Sequence, residues 1–241
     1  RDYAIATAAA PQDVRRLFRR TLMVGEQFGV VVVLERDRRG RRRSVEVATF
    51  RSDLSYSDGR HPDGVTFASP EEDARRRDFT INGMFYDPVT QEVIDYVGGR
   101  SDLEKGVIRT IGSPEKRFGE DYLRMLRAVR FSSRLGFRID PATARAITAH
   151  APKIAAISGE RIFEELRMIL AAQNRAAGLA QLRQYALARP ILPELFDPDT
   201  LWTAGVDRVG MLARNSLPET VFGALFLELS TAALRGIARR W

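Results

Sequence analysis

Two short spacings near the middle of the chain could do chemistry. Glu120 and Arg124 stand four residues apart, and Asp121 and Arg124 three apart. They lie in the run 117–131, Arg-Phe-Gly-Glu-Asp-Tyr-Leu-Arg-Met-Leu-Arg-Ala-Val-Arg-Phe. No Gly or Pro follows Gly119 there and good helix formers dominate, which predicts a helix from about Glu120. Residues three and four apart share a helix face, so the two acids should meet Arg124 on one side. Arg127 and Arg130 continue along that side, while Met125, Leu126 and Val129 can face a core. A solvated, salt-bridged face satisfies the same spacing. The sharper reading is a plate for a nucleobase. A fixed carboxylate beside a guanidinium sets an acceptor next to a donor. Cytosine presents its amino donor beside the acceptor N3, and adenine presents its amino donor beside N1. Guanine and uracil present the reverse order. One Asp/Arg pair can therefore accept C and A and reject G and U.

Two further stretches fit phosphate chemistry. Asp2-Tyr3-Ala4 opens an apparent strand, where residues i and i+2 point to the same side. Carboxylates at both positions could hold the two Mg²⁺ ions that nucleotidyl transfer uses. Here the second position is Ala4, so the pattern is incomplete on its own. Glu46, expected on an adjacent strand, could supply a further carboxylate, or could simply be an exposed strand residue. The second stretch is Arg75-Arg76-Arg77-Asp78-Phe79-Thr80-Ile81-Asn82. Three consecutive arginines usually make a solvated face. With Phe79 and Ile81 alongside, at least one should turn inward: Arg77 could bind a triphosphate, and Asp78 could orient it or accept from a ribose hydroxyl.

The rest of the chain must position these groups. Its 241 residues allow one large domain or two to three small ones. There is no cysteine, which excludes disulfides and a Cys-ligated zinc site. No apolar run is long enough to span a membrane and no signal peptide is visible, so no membrane partner and a cytoplasmic location are expected. The net charge is +7, and lysine occurs only at Lys105, Lys116 and Lys153. A basic chain rich in guanidinium groups suits phosphate and hints at a nucleic-acid partner.

Residues 1–7 read as a strand and Pro11 opens a helix over 11–20. An apolar, β-branched run over 28–35 and an alternating run over 44–51 read as a hairpin, with Val45, Val47 and Thr49 opposed to Glu46 and Ala48. Residues 52–68 read as a long loop. Ser69 should cap a helix from Pro70 with Glu71 and Glu72 in its first turn. Residues 83–86 and 93–96 read as a hairpin around Asp87-Pro88, and Gly98-Gly99 as a turn or hinge. From Ser101 the pattern turns helical, with Ser101, Ser113, Asp140 and Ser158 as N-caps, a stripe of Leu166, Ile169 and Leu170, and apolar residues again over 221–229. The expected fold is α+β: a small mixed β-sheet head followed by an all-helical neck and body. The expected divisions are 1–97, 98–172 and 173–241.

Taken in order, these stretches resemble the class II tRNA nucleotidyltransferase and bacterial poly(A) polymerase family of the polymerase β-like nucleotidyltransferases. Asp2-Tyr3-Ala4-Ile5-Ala6-Thr7 is similar to the end of the family's metal motif, where an Asp is expected in place of Ala4. Glu46-Val47-Ala48-Thr49-Phe50-Arg51 resembles the strand after it. Arg76-Arg77-Asp78-Phe79-Thr80-Ile81-Asn82 resembles the ribose and triphosphate motif, and Asp95-Tyr96-Val97-Gly98-Gly99 the hinge. Glu120-Asp121-Tyr122-Leu123-Arg124 with Arg127 and Arg130 resembles the amino-acid template for the incoming base. Ser158-Gly159-Glu160-Arg161-Ile162-Phe163-Glu164-Glu165-Leu166 resembles the helix that braces it.

The resemblance covers roughly residues 1–172. It implies a five-stranded catalytic head, a helical neck holding the template, and a helical body that grips tRNA. It implies Mg²⁺-dependent addition of CMP and AMP, from CTP and ATP, to a tRNA 3′ end. The family's Gly-Gly segment and following Arg would lie upstream of Arg1, so a chain cut short at its start is expected. Ala4 should leave a protein that binds nucleotide and transfers it poorly, by an engineered inactivation or as a natural pseudoenzyme. A poly(A) polymerase is the alternative within the family. That branch carries an Arg-rich stretch where this chain has Val24-Gly25-Glu26-Gln27-Phe28-Gly29, which favours tRNA. CC-only and A-only adding enzymes fit the same motifs, and a non-catalytic RNA-binding module fits Ala4.

Overall fold

The computed structural model describes residues 4–24, 29–36, 40–53, 64–196, 198 and 200–241. The chain divides into two compact units. One holds Arg1–Arg77 and Asn82–Gly99, the other Asp78–Ile81 and Arg100–Trp241. A small sheet comes first and helices follow, the expected α+β order.

In the first unit, β1 (Ala4–Thr7), α1 (Pro11–Leu17), β2 (Thr21–Met23), β3 (Val30–Arg36) and β4 (Arg42–Thr49) form one layer of helix on a four-stranded sheet. The strand order is β1-β4-β3-β2, with β1 parallel to β4 and the other pairs antiparallel. Pro11 fixes the first helical φ of α1 without removing a useful donor. Val14 of α1 packs on Val31, Val33 and Val47, the inward half of each strand's alternation. Val45, Val47 and Thr49 are thus opposed to Glu46 and Ala48, as the pattern predicts.

The implied fifth strand is not in this sheet among the described residues. The Phe50 N–H donates to Thr7 O at 2.8 Å, and the chain then leaves the sheet. β5 (Arg51–Asp53) pairs instead with β6 (Val65–Phe67), so both ends of the expected loop 52–68 are strand. Residues 54–63 lie outside the described residues. α2 (Pro70–Arg75) opens with a reciprocal capping box. Ser69 Oγ accepts from Glu72 N at 3.3 Å, and Glu72 Oε2 accepts from Ser69 N at 2.9 Å. β7 (Met84–Asp87) and β8 (Glu92–Asp95) form the expected hairpin.

The second unit contains α3 (Gly99–Lys105), β9 (Val107–Ile108), α4 (Pro114–Glu120), α5 (Leu123–Leu135), β10 (Arg138–Ile139), α6 (Pro141–His150), α7 (Gly159–Leu170), α8 (Arg175–Gln184), α9 (Ala188–Ile191), α10 (Thr200–Met211), α11 (Pro218–Phe226) and α12 (Thr231–Arg240). One two-residue parallel ladder, β9 with β10, interrupts the helices. Met125, Leu126 and Val129 of α5 share a core with Leu166, Ile169 and Leu170 of α7 and Leu179 of α8. Burying each such side chain stabilises by about 1.5–3 kcal/mol. Gly178 of α8 permits that closeness, because a Cβ there would lie 2.7 Å from Ile169 Cγ2.

Ser113 and Asp140 cap α4 and α6 through their side chains. Ser158 takes the N-cap position of α7 without a side-chain bond. Ser101 is a correction: it sits inside α3, which already starts at Gly99 behind the left-handed Gly98 (φ 80°).

Candidate functional site

The expected single helix from Glu120 is two helices. α4 ends at Glu120, Asp121 is extended (φ −156°, ψ 108°), and α5 starts at Leu123. The cause is local. Asp121 Oδ1 accepts from the Leu123 N–H at 3.0 Å, and Asp121 O accepts from Arg124 N at 3.1 Å. An aspartate that bonds the backbone two residues ahead competes with helix continuation.

The break redirects the charges. Asp121 Oδ2 accepts from Arg161 Nη2 of α7 at 2.7 Å. Arg124 Nη1 donates to Glu120 Oε2 at 2.5 Å and to Arg117 O at 2.9 Å. Arg117 Nη1 donates to the same Glu120 oxygen at 2.9 Å. The Glu120–Arg124 pair therefore forms as the spacing predicts, although it bridges two helices rather than one face. Asp121 and Arg124 are both about nine-tenths buried, each held by a partner of opposite charge. A carboxylate has about four lone-pair positions and a guanidinium five N–H donors.

Further along α5, Arg127 Nε donates to Asp78 Oδ2 at 2.7 Å, while Asp78 Oδ1 accepts from Phe79 N at 2.9 Å. Glu165 of α7 stands 3.9 Å from Arg127 and 3.2 Å from Arg130. Arg130 also donates to Met168 Sδ at 3.0 Å and lies 4.5 Å over the Phe131 ring. Its environment is that of a buried brace. Burial pushes the Glu165 carboxyl up, and Arg130 and Arg127 only partly pull it back. Burial likewise pushes Arg130 down, with Glu165 the main opposing influence.

A second network fixes the 78–81 segment. Thr80 Oγ1 donates to Asp102 Oδ2 at 2.8 Å, and Thr80 N to Arg109 O at 2.9 Å. Arg109 bridges Asp102 and Asp140. None of this is visible in the local spacing, because Asp102, Arg109 and Asp140 come together only through the tertiary fold.

In the first unit, Arg77 Nε and Nη2 donate to Asp73 Oδ2 at 3.2 and 2.9 Å, and Nη1 donates to Asn82 O at 2.9 Å. The guanidinium lies 4.7 Å over the Phe85 ring. Two of its five N–H donors are uncommitted by these bonds. Asp73 is 2% exposed and also holds Arg76. Burial pushes its carboxyl up, but Arg76 and Arg77 pull harder and leave it below the usual carboxylate range. Sequence reasoning missed Asp73, although its i+3 and i+4 spacing to Arg76 and Arg77 was the signal.

Asp2 lies outside the described residues. Ala4 is exposed and pairs in register with Glu46 across the parallel ladder, so the two occupy one face of the sheet. Among the described residues no three acidic or histidine side chains gather to hold a metal.

The family described as "Poly A polymerase head domain" matches residues 1–109, and "Probable RNA and SrmB- binding site of polymerase A" matches residues 136–197. The CCA-adding enzyme of Geobacillus stearothermophilus is 44% identical over 187 residues, which is 77% of this chain and 45% of that protein. Poly(A) polymerase I of Salmonella typhi is 41% identical over 209 residues, covering 81% of this chain and 43% of that protein. The chain thus spans less than half the length of these two relatives. The crystal structure of the Bacillus stearothermophilus CCA-adding enzyme in complex with CTP matches with a TM-score of 0.70 at 34% identity, over 99% of this chain and 60% of that one. A head-domain match over the sheet, a polymerase RNA-binding match over the helices and relatives of both activities converge on one assignment: the chain belongs to the tRNA nucleotidyltransferase and poly(A) polymerase family.

Proposed function

We propose that this chain carries the nucleotide-binding part of an enzyme that adds CMP and AMP, from CTP and ATP, to the 3′ end of tRNA without a nucleic-acid template. The single observation that carries the reading is the α4–α5 junction. There a buried carboxylate, Asp121, and a buried guanidinium, Arg124, are each fixed by a partner from outside the pair. Fixed acceptor and donor groups can select the cytosine and adenine edges without a template strand. In this reading Arg77, oriented by Asp73, takes the triphosphate with its uncommitted donors. Asp78 takes the ribose, Asn82 lines that motif, and Glu120, Arg127 and Arg130 hold the plate. We assign residues 1–97 to the head, 98–172 to the neck and 173–241 to an RNA-gripping body.

A divalent ion, Mg²⁺ in this reading, belongs to the family's transfer chemistry. The described residues do not fit a two-ion centre, because Ala4 has no oxygen to offer and Glu46 is the one carboxylate beside it in register. The chain should bind nucleotide and transfer it poorly. Poly(A) addition is the second reading, supported by the 41% identity to poly(A) polymerase I of Salmonella typhi.

The test is to incubate the chain and its Ala4→Asp variant with Mg²⁺, single nucleotides and tRNAs ending before, within and after CCA. Addition that stops at the completed CCA, gained by several powers of ten in the variant, supports the reading. Unlimited AMP addition would move the assignment to poly(A) polymerase. A folded variant that binds ATP and extends no RNA would leave an RNA-binding module.

A further inference from the structure

A concave site of about 760 Å³ lies between the end of α1 and the start of β2, against the turn end of the β3–β4 hairpin. Its lining includes Leu17, Phe18, Arg19, Arg20, Arg36 and Arg42. The backbone builds it. α1 stops at Leu17, Phe18 is extended (φ −121°, ψ 131°), and Arg20 O accepts from Leu34 N at 2.9 Å. That bond seats the two arginines beside the hairpin. The ladder register then sets Arg36 directly opposite Arg42. Like charges directly opposite on a sheet destabilise it, and a polyanion would relieve that cost. Glu35, the one carboxylate of the lining among the described residues, stands opposite Arg43 in the same ladder. No carboxylate among the described residues pairs with Arg19, Arg20 or Arg42.

The apolar part of the surface is equally unusual. Leu17 is 76% exposed, and Phe18 and the edge-strand residue Leu22 are exposed beside it. Guanidinium groups that can fork onto phosphates, next to an accessible ring on extended backbone, are the two ingredients of single-strand nucleic-acid binding. We propose that this end of the first unit binds single-stranded RNA, with phosphates on Arg19, Arg20, Arg36 and Arg42 and a base stacked on Phe18. The assignment goes beyond the nucleotide-transfer reading and takes from it only the choice of RNA as the strand.

Cross-linking of a short 4-thiouridine RNA to the whole chain, followed by peptide mapping, tests it directly. Adducts are expected on peptides carrying residues 17–24 or 30–43. Adducts confined to residues 100–241 would overturn the proposal. The triple variant Arg19→Ala, Arg20→Ala, Arg42→Ala changes exposed side chains, and its melting curve checks the fold. In it the logarithmic salt slope of RNA binding should fall by about 2, at roughly 0.7 for each phosphate no longer neutralised. Phe18→Ala should weaken RNA roughly tenfold and leave inorganic polyphosphate binding unchanged. An unchanged slope in the triple variant would refute the role of the arginines on phosphate. Equal loss for RNA and polyphosphate in Phe18→Ala would refute the stacked base, as would competition by an acidic peptide as effective as RNA.

Discussion

Arg161→Met separates a selective plate from an ordinary ion pair. Arg161 Nη2 lies 2.7 Å from Asp121 Oδ2, and the two side chains are 20% and 12% exposed. A hydrogen bond between charged groups contributes about 1.5–3 kcal/mol, and the residual exposure places this one near the lower end. Asp121 keeps its bond from Leu123 N, so the start of α5 stays held. The variant should therefore lose about 1.5–2 kcal/mol, a fall of roughly 3–8 °C in melting temperature for a chain of this size. The effect on recognition is larger than that number suggests. Without Arg161 the Oδ2 atom of Asp121 is no longer aimed, and a bidentate bond to the base, which supplies about 1–3 kcal/mol of discrimination, cannot form.

Preference for CTP and ATP over GTP and UTP should then fall by about 5- to 150-fold. Affinity for the disfavoured nucleotides should hold, because the proposed function rests it on the triphosphate. Competition binding with all four nucleotides reads this, and it does not require catalysis. Asp121→Asn and the double variant complete a cycle, and the two changes should be strongly non-additive because they share one hydrogen bond. If Arg161→Met melts earlier and yet keeps the full preference for C and A, the Asp121–Arg161 pair is structural only and the template reading fails.

The remaining predictions concern two of the buried carboxylates, Asp73 and Glu165. Asp73→Asn removes the charge that holds Arg76 and Arg77, so ATP affinity should fall and the unit should lose about 3 kcal/mol in urea unfolding; unchanged ATP affinity would separate Asp73 from the nucleotide. Asp73 titrates below the ordinary aspartate value of 3.8, so its stabilisation is complete above that pH and is lost as pH falls through the folded value. Glu165 has the opposite sign: raised above 4.5, it favours the folded state at low pH, and that contribution is lost as pH rises from 4.5 through its folded value. Melting curves across acid pH should show Asp73→Asn and Glu165→Gln flattening limbs of opposite slope.

Much of this arrangement is legible in the sequence, and what is missed has a common cause. The caps at Ser69, Ser113 and Asp140 and the hairpins read correctly because each depends on residues within a few positions. The break at Asp121 reads wrongly because helix propensity sums over a window, whereas one side-chain bond to Leu123 N decides the outcome. β2, β9 and β10 are too short to show a period and exist because a neighbour offers a ladder. Arg161 reaches Asp121 across 40 residues, so no spacing rule connects them. Asp73 is the exception, a miss that spacing alone could have prevented.

In the proposed reading, Ala4 separates binding from transfer. Its strand is held by backbone pairing, in register with Glu46, Val47, Ala48 and Thr49, and its side chain is exposed. The backbone pairing does not depend on the side chain there, and a carboxylate would add only a modest repulsion from the exposed Glu46 in register with it. The groups assigned to the nucleotide are different in kind. Arg77, Asp78, Asp121 and Arg124 are each tied to a second residue, and three of the four are buried. Changing any of them disturbs packing as well as ligand binding. A position that only the transition state needs can thus be altered without loss of fold, and interactions confined to the transition state raise kcat rather than affinity. The change at Ala4 is expected in the rate of nucleotide addition, with nucleotide affinity and melting temperature nearly those of Ala4→Asp. A large difference in either of those two quantities would mean that Ala4 has a structural role its exposure does not explain.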